Sequence, residues 1–121
     1  VLQLTSDDDV AVFVYGDTAA APIARLRPQT AGLPEVLLLA GQSVQIGRAA
    51  HNDLQLSDMQ VSGTHALLRV EADGSLMLSD QGSTNGTFVD HVRIDSPVRL
   101  RVGQSIFFGS PDSAYVVAQP D

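Results

Sequence analysis

Thr64-His65-Ala66-Leu67-Leu68-Arg69-Val70-Glu71-Ala72-Asp73-Gly74-Ser75-Leu76-Met77-Leu78-Ser79-Asp80 is the stretch from which the fold follows. His65, Leu67, Arg69 and Glu71 fall on one face of an extended chain, while Ala66, Leu68 and Val70 fall on the other, the pattern of a half-buried strand. Asp73-Gly74 then supplies residues that tolerate the left-handed backbone of a tight hairpin. The Leu76-Met77-Leu78 run should therefore return beside the first strand.

Outward from this hairpin, turn residues recur about every ten positions, and the intervals between them carry β-branched or alternating apolar runs. Strands are expected over residues 10–15, 23–27, 35–39, 43–46, 64–71, 75–80, 87–89, 98–100, 105–108 and 114–118. No interval sustains a helical period. The expected architecture is all-β, a two-sheet antiparallel sandwich of about eleven short strands. Residues 47–61 and 81–86, rich in Gly, Asn, Asp and Ser, read as loops, and loops that meet at one end of a sandwich are where binding residues collect.

Residues 1–21 differ in character. An acidic run, Thr5-Ser6-Asp7-Asp8-Asp9, precedes a strand-like segment at 10–15 and a connector of small residues, so this part reads as an extension or linker with room for one extra strand. Asp8 to Val14 also resembles the last strand of a metal-dependent Ser/Thr protein phosphatase, but the pattern is short, and an extra strand on the sandwich is the simpler reading. Residues 22–121 form the expected domain.

At 121 residues the chain suffices for one domain that buries roughly 65% of its unfolded surface. It opens on Val1 with neither a leader nor an apolar run long enough to span a bilayer, and reads as a soluble piece of a longer protein. The absence of cysteine removes disulfides and thiolate metal sites and fits a cytoplasmic location. Seven Arg, no Lys and fourteen acidic residues give a formal charge of -7, which argues against nucleic acid or an anionic membrane as partner.

Against that charge, one region has the residue types that hold a single phosphate. Arg48 offers a rigid fork of donors, Ser62 and Thr84 offer hydroxyls, and Asn85 offers an amide that grips a peptide backbone. Gly47 suits a loop whose backbone approaches a ligand. Each residue also has a plainer reading: Arg48 paired with Asp53 or Asp58, Ser62 bonded to its own turn, Asn85-Gly86 as a tight turn. Ser62, His65 and Asp80 could be drawn as a hydrolase triad, but no Gly-x-Ser-x-Gly elbow is present. His51 and His91 lack the spacing of metal ligands, and no cofactor is implied.

The motifs fall in an order that resembles the forkhead-associated (FHA) domain. Ile46-Gly47-Arg48 opens it, followed by Asn52-Asp53-Leu54, Val61-Ser62-x-x-His65 and Asp80-x-x-Ser83-Thr84-Asn85-Gly86-Thr87-Phe88. Leu100-x-x-Gly103-x-x-Ile106-x-Phe108-Gly109 closes it. Steps of 14 and 22 residues separate Arg48, Ser62 and Thr84. The resemblance covers residues 22–118 and implies a sandwich that reads phosphothreonine peptides through loops at one end. By this resemblance Arg48 and Ser62 hold the phosphate, Gly63 contributes a backbone donor, Thr84 contacts phosphate or ligand backbone, and Asn85 holds ligand main chain. Gly47, His65, Asp80 and Gly86 support the site, with His65 tying two binding loops together and Asp80 capping its loop.

Two departures bear on selectivity. Gly63 stands where the family often has a polar or basic side chain, and Gln60 where some members carry a basic residue that reads the ligand's C-terminal flank. Between Arg48 and Arg93 three Arg face six acidic residues, so long-range steering is weak and a micromolar reader, on the order of -8 kcal/mol, is expected. The expected role is a phosphothreonine-dependent interaction module, not an enzyme, acting downstream of a Ser/Thr kinase. Its partner could be the chain itself, through phosphorylated Thr5 with Asp8 three residues on. The alternative is a phosphate-independent assembly domain of the same fold.

Overall fold

The computed structural model describes residues 21–120; the extension with its strand-like 10–15 segment and Thr5 lies outside the described residues. Eleven strands are present: β1 (Ala24–Pro28), β2 (Val36–Leu38), β3 (Ser43–Gly47), β4 (Leu54–Gln55), β5 (Ala66–Val70), β6 (Leu76–Asp80), β7 (Thr87–Val89), β8 (Val92–Arg93), β9 (Val98–Leu100), β10 (Ser105–Phe108) and β11 (Ser110–Ala118). They form a six-stranded sheet in the order β2-β1-β11-β10-β7-β8 and a five-stranded sheet in the order β4-β3-β5-β6-β9. No helix occurs among the described residues, hence none long and apolar enough to cross a membrane.

Alternation makes the sandwich. Ala66, Leu68 and Val70 of β5 and Leu76 and Leu78 of β6 point inward from the five-stranded sheet. They meet Leu26, Ile106, Phe108, Tyr115 and Val117 from the six-stranded one, all fully buried. The expected hairpin forms with Leu68 opposite Leu78, and Asp73 closes its turn by accepting from the Ser75 N–H at 2.9 Å. Tyr115 keeps its ring in the core by donating its hydroxyl to the Pro34 carbonyl at 3.0 Å, and burial pushes its phenol up to about 12.

Three features depart from the strand expectations. β4 lies within the expected loop 47–61 and runs parallel to β3, with Ile46 opposite Leu54, so the five-stranded sheet is mixed. Two residues are too few to display alternation. β8 exists because Asp90 and His91 both adopt positive φ, 49° and 69°, which turns Val89 back onto Val92 through a two-residue loop of the primed hairpin type. Asp90 supports that conformation by accepting from the Ser105 N–H at 3.0 Å and from Gln104 Nε2 at 3.0 Å. β11 starts four residues earlier than expected, after a register shift between Phe107 and Phe108.

Strand direction decides where everything else lies. The ends of β3, β6 and β10 and the beginnings of β5, β7 and β11 share one end of the sandwich. At the other end β1 and β11 lie side by side, with Arg25 opposite Ala118.

Candidate functional site

Gly47 ends β3, and there the chain must pass very close to the loop before β5. A side-chain carbon at Gly47 would overlap the Gly63 carbonyl and come within 2.8 Å of Asn52 Nδ2. The missing Cβ lets the two loops zip together: the Arg48 N–H donates to the Ser62 carbonyl at 2.9 Å, and the Ala49 N–H to the Gly63 carbonyl at 3.1 Å. Asn52, itself buried, adds Nδ2 donations to the Ala49 carbonyl at 2.8 Å and the Gly63 carbonyl at 2.6 Å. His51 and Thr64 close the rim at 2.9 Å.

His65 joins this pair of loops to the third. It is fully buried, its Nδ1 accepts from the Ser62 N–H at 3.0 Å, and its Nε2 lies 2.8 Å from the Gly86 carbonyl. These partners set the tautomer, because a ring nitrogen that accepts from an N–H must be bare and one facing a carbonyl must carry the proton. Phe108 holds the ring edge-to-face at 5.9 Å. The Gly86 carbonyl also accepts from the Gly109 N–H at 2.8 Å, so β10 is tied to the same point.

Asp80 organises the 81–86 loop. One carboxylate oxygen accepts from Ser83 Oγ at 2.5 Å and Thr87 Oγ1 at 2.7 Å; the other accepts from the Gly82 and Ser83 N–H groups at 3.0 Å each. Burial opposes its ionisation, but the Ser83 and Thr87 hydroxyls and the Ser83 N–H outweigh it and hold the carboxyl below the ordinary range. The unfolded chain therefore takes up this proton first on acidification. Stability from this group is fully present above about pH 4 and declines as the pH falls further. Asp80→Asn, which leaves one pair of donors facing an amide NH2, is expected to cost about 2 kcal/mol at pH 7 and to flatten the acid limb of a pH series of thermal melts.

This scaffold leaves a distinct set of donors uncommitted among the described residues. Arg48 uses Nε on the Val61 carbonyl at 2.9 Å, and its terminal nitrogens have no carboxylate within salt-bridge distance. Asp53 instead accepts from the Gln45 N–H at 2.8 Å, and Asp58 accepts from the hydroxyls of Ser110 and Ser113. Neither ion pair of the plainer reading of Arg48 forms. Ser62 Oγ accepts from the Thr84 N–H at 3.1 Å, which leaves its own proton to donate. The Gly63 N–H and the Thr84 hydroxyl make no internal bond. Asn85 is half-buried and gives one amide hydrogen to the Gln60 carbonyl at 2.9 Å, keeping its oxygen and second hydrogen.

Arg48, Ser62, Gly63, Thr84 and Asn85 are thus brought to one rim, with Gly47, His65, Asp80 and Gly86 beneath or beside them. The triad alternative fails on geometry. His65 meets the Ser62 N–H instead of its hydroxyl, and Asp80 is committed to Ser83, Thr87 and two N–H groups. Sequence reasoning gave no role to Asn52 and treated Asp58 and Gln60 as a surface acid and a flank position. Asp58 followed two residues later by Gln60 in a polar loop is the pattern of an Asx turn, which was the available signal.

The FHA domain family model matches residues 44–109. The FHA domain-containing protein FhaB of Mycobacterium tuberculosis is 36% identical over 73 residues, covering 60% of this chain, which spans about half (46%) of that protein. EmbR of the same organism, solved in complex with a low-affinity phosphopeptide, superposes with TM-score 0.70 at 30% identity over 81% of this chain and 24% of that one. A solved FHA domain studied for phosphothreonine-dependent FHA domain interactions gives TM-score 0.70 at 28% identity, over 79% of this chain and 95% of that one. With the family signature lying across the loops that carry the uncommitted donors, the chain belongs to the FHA domain family.

Proposed function

We propose that this chain is a phosphothreonine-dependent protein interaction module, and one observation carries the reading. At neutral pH a phosphate monoester bears about -1.5 to -2 charges and needs donors alone. The rim offers the Arg48 terminal nitrogens, the Ser62 hydroxyl proton, the Gly63 N–H and the Thr84 hydroxyl, with no carboxylate among the described residues paired to Arg48. Arg48 and Ser62 hold the phosphate, Gly63 adds its N–H, Thr84 closes the side of the site, and Asn85 takes ligand main chain with the amide atoms that Gln60 leaves over. The relatives' phosphopeptide and phosphothreonine partners support this assignment by family membership.

Nothing in the rim is built to activate a nucleophile, so the module binds and does not turn over its ligand. A Ser/Thr kinase must supply that ligand, and the lack of cysteine suits a reducing cytoplasm. Phosphorylated Thr5 of a second copy is one ligand of the right chemistry. An oriented phosphothreonine peptide library and its unphosphorylated twin test the reading. Retention of the phosphorylated set with Kd in the micromolar range is expected, and equal capture of both sets would replace the module with a phosphate-independent assembly domain.

A further inference from the structure

The loop between β4 and β5 is pinned to the opposite sheet by a single carboxylate. Asp58 accepts from Ser110 Oγ at 2.6 Å and Ser113 Oγ at 3.1 Å, both on β11, and from the Gln60 N–H at 2.9 Å; its own carbonyl accepts from the Val61 N–H at 3.0 Å. Ser113 is buried. Ser110's bond first, then that of the Gln60 N–H, keeps the Asp58 carboxyl below the ordinary range, so it is an anion held by neutral donors with no cation among the described residues within salt-bridge distance. Gly109, at φ 79°, completes the fit: a Cβ there would overlap the Gln60 carbonyl.

That turn presents two consecutive carbonyls. Gln60's accepts from Asn85 Nδ2 at 2.9 Å, and Val61's accepts from Arg48 Nε at 2.9 Å. These are the two side chains assigned above to the ligand backbone and to the phosphate, and neither has another side-chain bond among the described residues. Resting on that assignment, we infer that Asp58 is the positioning residue of the site, which, clamped by Ser110 and Ser113, aims the Arg48 fork and the Asn85 amide through the Val61 and Gln60 carbonyls. Ordering these long side chains before the ligand arrives removes part of the entropy that binding would otherwise cost.

The experiment reads free protein and complex separately. In the free protein, Asp58→Ala is expected to shift the Asn85 side-chain amide and Arg48 Nε–H resonances while the strand amides of both sheets stay in place. For the tightest phosphothreonine peptide of the library, affinity is expected to fall about tenfold. The same substitution in an Asn85→Ala background is expected to cost only about threefold, since part of its action passes through Asn85. Ser110→Ala with Ser113→Ala, which spares the turn itself, is expected to move the same two resonances and weaken binding about threefold, and it decides the matter if Asp58→Ala does not fold. Unmoved resonances, unchanged affinity or full additivity with Asn85→Ala would overturn the inference. A wild-type protein that binds no phosphopeptide overturns the functional assignment instead, and the resonances then still judge the clamp.

Discussion

Arg48→Ala is expected to abolish phosphothreonine-peptide binding, weakening it by at least about 100-fold, or about 2.7 kcal/mol. The magnitude follows from what the guanidinium does in the free protein. Its Nε is spent on the Val61 carbonyl, which orients the planar fork, while no described residue occupies the terminal nitrogens, which can make two charge-assisted bonds to one phosphate. Alanine removes the only cation in the donor set just described, and the net charge of -7 then repels a dianion without local compensation. The fold should survive, because Arg48 is exposed and its backbone N–H still reaches Ser62. Its melting midpoint should stay within about 5 °C of wild type. Arg48→Lys, with charge but no fork, should fall between the two, about tenfold weaker. Titration by fluorescence anisotropy beside a melting curve checks all three, and retained affinity in Arg48→Ala would return the chain to phosphate-independent assembly.

His65→Ala should have the largest effect on stability, about 3–5 kcal/mol, which is much of what a domain of this size possesses. It empties a fully buried volume against Phe108, orphans the Ser62 N–H and leaves the Gly86 carbonyl with the Gly109 N–H alone. The melting midpoint should drop by about 15 °C or more, with any folded remainder binding weakly because the Ser62 and Thr84 loops are no longer held in register. A variant melting within a few degrees of wild type would show that the ring is not the strut that its two bonds indicate. Glutamine, able to keep one of the two bonds, should recover part of the loss.

Residues with one strong periodic or chemical signature were legible in the sequence. The β5–β6 hairpin was readable because alternation ran on both sides of Asp73-Gly74. Arg48, Ser62, Thr84 and Asn85 could be placed near one another because the ordered motifs that carry them resemble the FHA pattern. What escaped was cooperative. β4 pairs over two residues, β8 depends on Asp90 and His91 accepting a left-handed backbone, and Asp58 gains its meaning only when β11 brings Ser110 and Ser113 across from the other sheet. Long-range side-chain partners of this sort leave no periodicity to find, since any surface acid looks alike until its neighbours are known.

The side-by-side course of β1 and β11 has a consequence for how such a unit is used. β11 begins at the reading rim and runs nine residues away from it, roughly 26 Å, to where β1 starts. The start of β1 and the end of β11 are therefore neighbours on the side away from the rim. A module wired in this way can be joined to a host chain on one side while it reads phosphate on the other, so recombination can change what it recruits for while leaving how it recognises untouched.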